Sequence, residues 1–278
     1  MAHALVALGA NLGDREEPLN AALVEFARLP SSRLIRRSGW FETPPIGGPA
    51  GQGAFLNGAA LLWTTLAPRQ LLAALHEIEQ RLGRVRGERW GARVIDLDLL
   101  LFDQLVIDEA ATTDCLETII PHPRMAFRRF VLEPAAAVAP WMVHPTSGWT
   151  VQALCEQLTH GADVVAVTAS DPNEVAVWME RLQQRFVNGP RIVAWEDYRA
   201  EVDCSGSQRP KLILAFLNDD AAQLPAFHAG AHSRRMPNLP TGPVAWIPST
   251  GVAEQLVEAA AAIQAVWPER ASAAPPSD

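Results

Sequence analysis

Two aspartates stand two residues apart in Arg93-Val94-Ile95-Asp96-Leu97-Asp98-Leu99, and Arg84, Arg86, Arg89 and Trp90 lie just before them. Side chains alternate along an extended chain, so Asp96 and Asp98 share one face while Ile95, Leu97 and Leu99 take the other. Adjacent carboxylates repel each other and are costly to keep ionised without a cation. A hard divalent ion with oxygen ligands, most simply Mg²⁺, relieves that cost. Arginines beside a carboxylate-bound Mg²⁺ suit a polyphosphate: the ion bridges phosphate oxygens and the guanidinium forks take the rest. Gly83, Gly87 and Gly91 allow close backbone approach, and Trp90 offers a flat surface to a nucleotide or another planar heterocycle.

Further along, His122 is held between Pro121 and Pro123, close in sequence to Arg124, Arg128 and Arg129. That composition suits phosphate contact as well as a plain loop cap. Phe55 and Phe130 read most simply as core residues. Asn57 shares the strand face of Phe55, and a buried amide there needs a hydrogen-bond partner, which a ligand could supply. No G-x-x-x-x-G-K-[ST] occurs, which excludes an intact phosphate-loop kinase, and G-x-S-x-G and H-E-x-x-H are also absent.

The elements that must position these residues follow from periodicity. Residues 4–9 read as a buried strand. Asp14 and Glu17 have capping-box spacing before a helix that runs to about residue 28, with Leu19, Leu23 and Phe26 on one side. Residues 33–41 read as a second strand and 42–54, with three prolines and four glycines, as a long loop of the functional kind. A third strand is expected over 55–64 and a helix from Pro68 to a Gly83 cap, with Leu71, Leu75, Ile78 and Glu79 in its stripe. A fourth strand spans 94–102. The order β-α-β-β-α-β predicts an α+β fold, with a ferredoxin-like N-terminal domain. A short helix over 149–158 closes this part.

From about residue 161 strands at Val164–Thr168, Ile192–Trp195, Leu212–Leu217 and Val244–Ile247 alternate with helices over 173–186 and 252–266, which predicts a small α/β extension. The domains expected are therefore 1–160 and 161–270, with a disordered tail at 271–278.

Composition narrows the function classes. The net charge of −8 argues against nucleic acid as a partner. Lys211 is the sole lysine, so positive charge is local and made of arginine. Cys115, Cys155 and Cys204 form neither a zinc motif nor a disulfide framework. No apolar run is long enough for a membrane span, and the chain opens as a strand rather than a signal peptide. A reduced cytoplasmic location is expected.

Taken together, Arg89-Trp90-Gly91-Ala92-Arg93-x-x-Asp96-Leu97-Asp98-Leu99-Leu100 closely resembles the signature of the 6-hydroxymethyl-7,8-dihydropterin pyrophosphokinases of folate biosynthesis. Supporting segments fall in the right order over about residues 1–160: Ala7–Leu12, Phe41–Gly47, Phe55-Leu56-Asn57, Ile78-Glu79 through Arg86, and Ile120-Pro121-His122-Pro123 through Leu132. The resemblance implies transfer of the β,γ-pyrophosphoryl group of ATP to the pterin hydroxymethyl oxygen, with release of AMP. It implies that Asp96 and Asp98 hold two Mg²⁺ ions and, with Arg84 and Arg93, form the catalytic set. Arg84, Arg93, His122 and Arg128 would hold the phosphates and Glu79 would sit at the nucleotide. Thr43, Pro44 and Ile46 would shape the pterin pocket, Phe55 and Phe130 would sandwich the ring, and Asn57 would bond its edge. Arg86 and Trp90 would sit on a mobile loop closing over both substrates. Ala10, His76 and Glu117 depart from residues common in the family, which bears on nucleotide affinity rather than on the reaction. Residues 161–278 exceed the usual length of the family. Pro210–Leu214 and Gly242–Val244 faintly resemble strands of deoxynucleoside-kinase-like domains, leaving a degenerate remnant or a structural or oligomerisation domain as readings.

Two other classes compete. A metal-dependent nucleotidyl transferase or nuclease on a ferredoxin-like palm also uses paired aspartates, but calls for a broad basic surface. A non-catalytic nucleotide-binding regulator does not need Arg93, Asp96, Asp98 and His122 together. Oligomeric state is left open by the sequence.

Overall fold

The strand expected at 4–9 extends from Ala2 to Ala10 as β1 and lies inside a mixed α/β structure. The computed structural model describes residues 1–49, 51–84, 91–109, 117–202, 208–217, 242–248 and 250–268. The chain divides into two units, Met1–Met125 with Phe130–Gln152, and Ala126–Arg129 with Ala153–Asp278. Arg86, Trp90 and the tail at 271–278 lie outside the described residues.

In the first unit, α1 (Glu16–Arg28) begins where the Asp14 carboxylate accepts the backbone N–H groups of Glu16 (3.1 Å) and Glu17 (3.2 Å). Strands β2 (Ser32–Arg37), β3 (Phe41–Thr43), β4 (Phe55–Thr64) and β5 (Asp96–Phe102) join β1 in an antiparallel sheet of order β2-β4-β1-β5, with β3 also on β4. Helix α2 (Pro68–Arg81) precedes β5. Leu19, Leu23 and Phe26 of α1 and Leu71, Leu75 and Ile78 of α2 pack in one core with Leu8, Leu62 and Leu97 of the sheet. Burial of each such side chain stabilises the unit by roughly 1.5–3 kcal/mol, so the helical stripes read in the sequence fix which sheet face is covered.

Several local features differ from the sequence reading: the helix expected over 149–158 runs from Val151 to His160, after a strand at Trp149–Thr150, and the loop expected over 42–54 begins only after a strand at Phe41–Thr43. The strand expected over 33–41 is broken at Ser38–Trp40. The Ser38 N–H still pairs with the Ala59 carbonyl (2.9 Å), and its hydroxyl accepts the Ala59 N–H (2.9 Å). Gly39 and Trp40 together then face the single residue Gly58 before Phe41 pairs with Asn57, so the chain bulges. The fourth strand starts at Asp96 rather than Val94. The segment after it holds an unforeseen hairpin, β6 (Ile107–Glu109) with β7 (Thr118–Ile120).

After the short turn Met125–Phe127 come α3 (Arg129–Val138), the hairpin β8 (Val143–His144) with β9 (Trp149–Thr150), and α4 (Val151–His160). The boundary between the units passes through α4.

The second unit is built on a parallel sheet, β10 (Ala162–Ala169), β11 (Arg191–Ala194), β12 (Pro210–Phe216) and β13 (Val244–Ile247), in the order β11-β10-β12-β13. Helices α5 (Pro172–Arg185), α6 (Trp195–Glu201) and α7 (Val252–Val266) belong to it, so Trp195 opens a helix rather than ending a strand. The near-continuous Val, Ile, Leu and Ala content of β10 and β12 is what a parallel sheet buried on both faces requires. Among the described residues no helix is long and apolar enough to cross a membrane.

Gly58 is the weak point of the β2–β3 break. A Cβ there would lie 2.4 Å from the Trp40 ring. Gly58→Ala should therefore destabilise the protein by about 1–3 kcal/mol through overpacking. Urea unfolding checks this, and an unchanged midpoint would mean that Trp40 does not seat against β4.

Candidate active site

The alternation Asp-Leu-Asp-Leu places the two carboxylates as the pleat demands. Leu97 and Leu99 are buried in the core, whereas the side chains of Asp96 and Asp98 are 21% and 38% exposed. Strand register sets their neighbours. Phe41 lies opposite Asn57, Asn57 opposite Gly9, and Gly9 opposite Asp96, so one row crosses four strands. Residues directly opposite one another point to the same face. Gly9 is the gap in this row: a Cβ there would approach Asn57 Oδ1 to 3.2 Å. An amide and a carboxylate thus face the same side of the sheet with no side chain between them.

Asp96 is gripped by two arginines. Arg84 Nη1 is 2.8 Å from Oδ1 and Arg93 Nη1 is 2.6 Å from Oδ2. Local backbone geometry puts Arg84 there. Gly83, at φ 89°, reverses the chain after α2, and the N–H groups of Gly83 and Arg84 return to the carbonyls of Gln80 (3.1 Å) and Glu79 (2.9 Å). Arg84 therefore folds back over Glu79, whose carboxylate it pairs with. Glu79 also accepts the backbone N–H of Leu97 (2.7 Å), tying the end of α2 to β5. Arg93 is fixed from β1: Asn11 donates its N–H to the Arg93 carbonyl (3.1 Å) and accepts the Arg93 N–H on Oδ1 (2.8 Å).

Burial, and then the charge of Asp98, hold the Asp96 carboxyl above its ordinary range, and Arg93 and Arg84 pull it back. Additional positive charge at this position is therefore favourable. Among the described residues no cluster of three or more His, Cys, Asp or Glu could hold a metal ion. A hard cation on this pair would have to complete its shell with oxygens from water or a ligand. The residues fit a cation carried on a polyphosphate better than a closed structural site.

His122 stands beside the pair because its N–H donates to the Leu100 carbonyl of β5 (2.9 Å). Its Nδ1 accepts the Arg124 N–H (3.1 Å), and Nε2 lies 3.9 Å from Asp98 Oδ2. In the neutral ring this bonding puts the proton on Nε2, toward the carboxylate. Across the sheet Asn57 is buried and donates to Thr43 Oγ1 (2.8 Å). Phe55 and Phe130 are half-buried, unlike the fully buried core residue Phe26, so both rings retain open surface. Pro44 is exposed and Ile46 half-buried on the loop after β3. Arg128 falls in the second unit. The sequence reading left out Gly9, Asn11 and Arg15. Asn11 was visible only as a member of the Ala7–Leu12 segment, because its partners are distant in sequence.

Glu79 carries a pH signature. Burial pushes its carboxyl from 4.5 up to about 7, against the opposing pull of Arg84. The folded state then holds the proton more tightly than the unfolded state. Its contribution is complete below about pH 4.5 and is lost as pH rises through about 7. In metal-free protein, the stability of wild type relative to Glu79→Gln should fall by on the order of 3 kcal/mol over that window. A difference that stays flat with pH in urea titrations would show that the Glu79 carboxyl is not held protonated.

The family model for 7,8-dihydro-6-hydroxymethylpterin-pyrophosphokinase matches residues 5–140. The 2-amino-4-hydroxy-6-hydroxymethyldihydropteridine pyrophosphokinase of Pseudomonas aeruginosa is 47% identical over 135 residues, covering 49% of this chain and 79% of that protein. The protein of the same description from Synechocystis sp. is 39% identical over 155 residues, 56% of this chain and 75% of its own length. That from Bacillus subtilis is 41% identical over 135 residues, 49% and 77% of the two chains. The match contains the paired aspartates, both arginines that grip Asp96, and the Asn57 row, and the chain belongs to the 7,8-dihydro-6-hydroxymethylpterin-pyrophosphokinase family.

Proposed function

We infer that this protein transfers the pyrophosphoryl group of ATP to the hydroxymethyl oxygen of 6-hydroxymethyl-7,8-dihydropterin, releasing AMP, in folate biosynthesis. The observation that carries the reading is the row in which Asp96, gripped by Arg84 and Arg93, faces the same side of the sheet as Asn57. One substrate site is rich in positive charge. The other offers a buried amide and two half-open aromatic rings.

The pterin hydroxymethyl oxygen attacks the β-phosphorus of ATP. The bond from that phosphorus to the oxygen bridging to the α-phosphate breaks, AMP leaves, and the hydroxyl proton is lost. Such transfers depend on alignment and charge stabilisation rather than on covalent help from the protein. Two Mg²⁺ ions on Asp96 and Asp98 would neutralise the triphosphate and the charge that develops on it. Arg84 and Arg93 grip Asp96 when no polyphosphate is present, and their forks turn to phosphate oxygens when ATP arrives. His122, with its Nε2 proton directed at this face, donates to the same phosphates. Glu79 orients Arg84 and lies beside the nucleotide. Phe55 and Phe130 hold the pterin ring, Asn57 and Thr43 read its edge, and Pro44 and Ile46 wall the pocket.

The first unit is ferredoxin-like in this reading, supported by its strand order and two helices on one face. The second unit takes no part in the chemistry. One candidate phosphate seat, the start of α5 after β10, is already capped by the Asp171 carboxylate on the Asn173 N–H (2.9 Å), and a fixed anion there repels phosphate.

The full chain with Mg²⁺, ATP and the hydroxymethyl pterin should release AMP in equal measure with pterin pyrophosphate, and no AMP without the pterin. Asp98→Ala should lower turnover by several orders of magnitude. The metal-free variant should melt no lower than wild type, because a like-charge neighbour of Asp96 is gone. Substantial residual turnover at saturating Mg²⁺ would remove Asp98 from the metal site.

A further inference from the structure

The loop from Pro44 to Ala54 needs to be held in place by something outside itself. It carries Pro44 and Ile46, and Gly47, Gly48 and Gly51 have φ of 67°, 75° and 81°, conformations that add freedom to an unpinned chain. Two side chains from the turn between β1 and α1 reach it. Asn11 Nδ2 donates to Gln52 Oε1 (3.2 Å), and Arg15 forks between the two ends of the loop.

Arg15 Nη1 donates to the Ala54 carbonyl at 2.9 Å, and Nη2 lies 2.7 Å from Glu42 Oε2. Ala54 directly precedes Phe55, and Glu42 directly precedes Thr43. Phe55 and Thr43 are themselves opposite one another in the β3–β4 register. One guanidinium thus brackets both walls of the pocket mouth. A lysine has no planar fork with which to do this.

Helix stability does not account for an arginine here. Arg15 occupies the N-cap position of α1 yet caps nothing with its side chain, and Asp14 does the capping. A cation at a helix N-terminus opposes the helix dipole. The Glu42 carboxylate is 61% exposed, so a solvent-screened ion pair alone adds little. What remains is geometry: the fork ties Ala54, at the end of the loop, to Glu42 across the last pair of the β3–β4 ladder.

We propose that Arg15 is a positioning residue for the pterin, clamping the open end of the short β3–β4 ladder so that its last pair, Thr43 and Phe55, does not fray beside the ring. This rests on the pyrophosphokinase reading for the identity of the ligand. Arg15 has no described contact with the arginines or aspartates of the phosphate side, so the effect is confined to one substrate.

The test uses the full chain, with steady-state kinetics on both substrates and calorimetric titration of the pterin in the presence of Mg²⁺ and a non-hydrolysable ATP analogue. Arg15→Ala should raise the pterin KM and Kd about tenfold, the order expected for loss of one charge-assisted hydrogen bond, with the ATP KM and kcat within about twofold of wild type. Arg15→Lys should recover only part of the loss. Glu42→Gln, whose amide oxygen can still accept the Nη2 N–H, keeps the fork and should stay close to wild type. An unchanged pterin Kd in Arg15→Ala overturns the proposal. So does a parallel change in both KM values and kcat with a lowered Tm, which would mark a merely structural role. If wild type binds the pterin but releases no AMP, the reaction assignment fails while the binding data still decide the role of Arg15. If wild type does not bind the pterin, both fall.

Discussion

A carboxylate taken partly out of water beside a second carboxylate is unfavourable unless positive charge is supplied, and Asp96 is in that position. Its place is dictated by strand alternation, since Leu97 and Leu99 must face the core and leave Asp96 and Asp98 on the open side. Arg84 and Arg93 answer the need with one guanidinium on each oxygen. Both arginines are in turn held by backbone devices, a glycine-reversed helix end for Arg84 and a two-point pairing with Asn11 for Arg93. Glu79 joins the two systems, because it pairs with Arg84 and accepts the Leu97 N–H of the strand that presents Asp96. The charge balance of the site is therefore distributed over α2, β1 and β5, and removal of any one of these supports misplaces an arginine. In the proposed reaction, a polyphosphate entering this site meets both guanidinium groups at hand, and each exchanges one anionic partner for another.

How far the sequence discloses such a site depends on the distance between partners. The D-x-D on an apolar strand, the Pro68 start and Gly83 end of α2, and the long glycine- and proline-rich loop are local patterns, and each is found where the spacing put it, although β5 begins two residues later than expected. The break at Ser38–Trp40 was not legible, because it depends on Gly58, some twenty residues away, leaving room for the Trp40 ring. The Asn11–Arg93 pairing spans 82 residues and the Arg15–Ala54 bond 39, and no periodicity records either. Glu79 was legible as part of a helical stripe, but its burial and raised carboxyl depend on where Arg84 and Leu97 arrive in three dimensions. Phe55 and Phe130 show the reverse case: composition favours the core for them, and the structure leaves both half open.

The second unit obeys a different constraint. Its four strands run parallel, so both faces must be covered, and β10 and β12 are almost wholly apolar as a result. Trp178 of α5 stacks on Phe216 at the end of β12, ring centroids 4.2 Å apart, which seals one face where the strands end. In open parallel sheets that carboxyl end is where ligands usually enter. Here the Asp171 carboxylate takes the Asn173 N–H, a group that a phosphate at that end would need.

The two halves of the candidate site differ in how they are built, and this bears on how each responds to change. On the phosphate side Asp96 and Asp98 stand on β5 and His122 is tied to it by a backbone hydrogen bond, while Arg84 and Arg93 are held at element ends by backbone bonds and by the side chains of Glu79 and Asn11. On the pterin side Asn57 stands on β4, but Pro44 and Ile46 ride on a loop whose described anchors are side chains, those of Asn11 and Arg15. Side-chain anchors are cheaper to break than a strand ladder, because only a few bonds oppose the entropy of a glycine-rich segment. Substitutions in the β1–α1 turn should therefore be felt first in pterin recognition. Arg93 is exposed to the same turn through Asn11, whose side chain reaches both halves of the site.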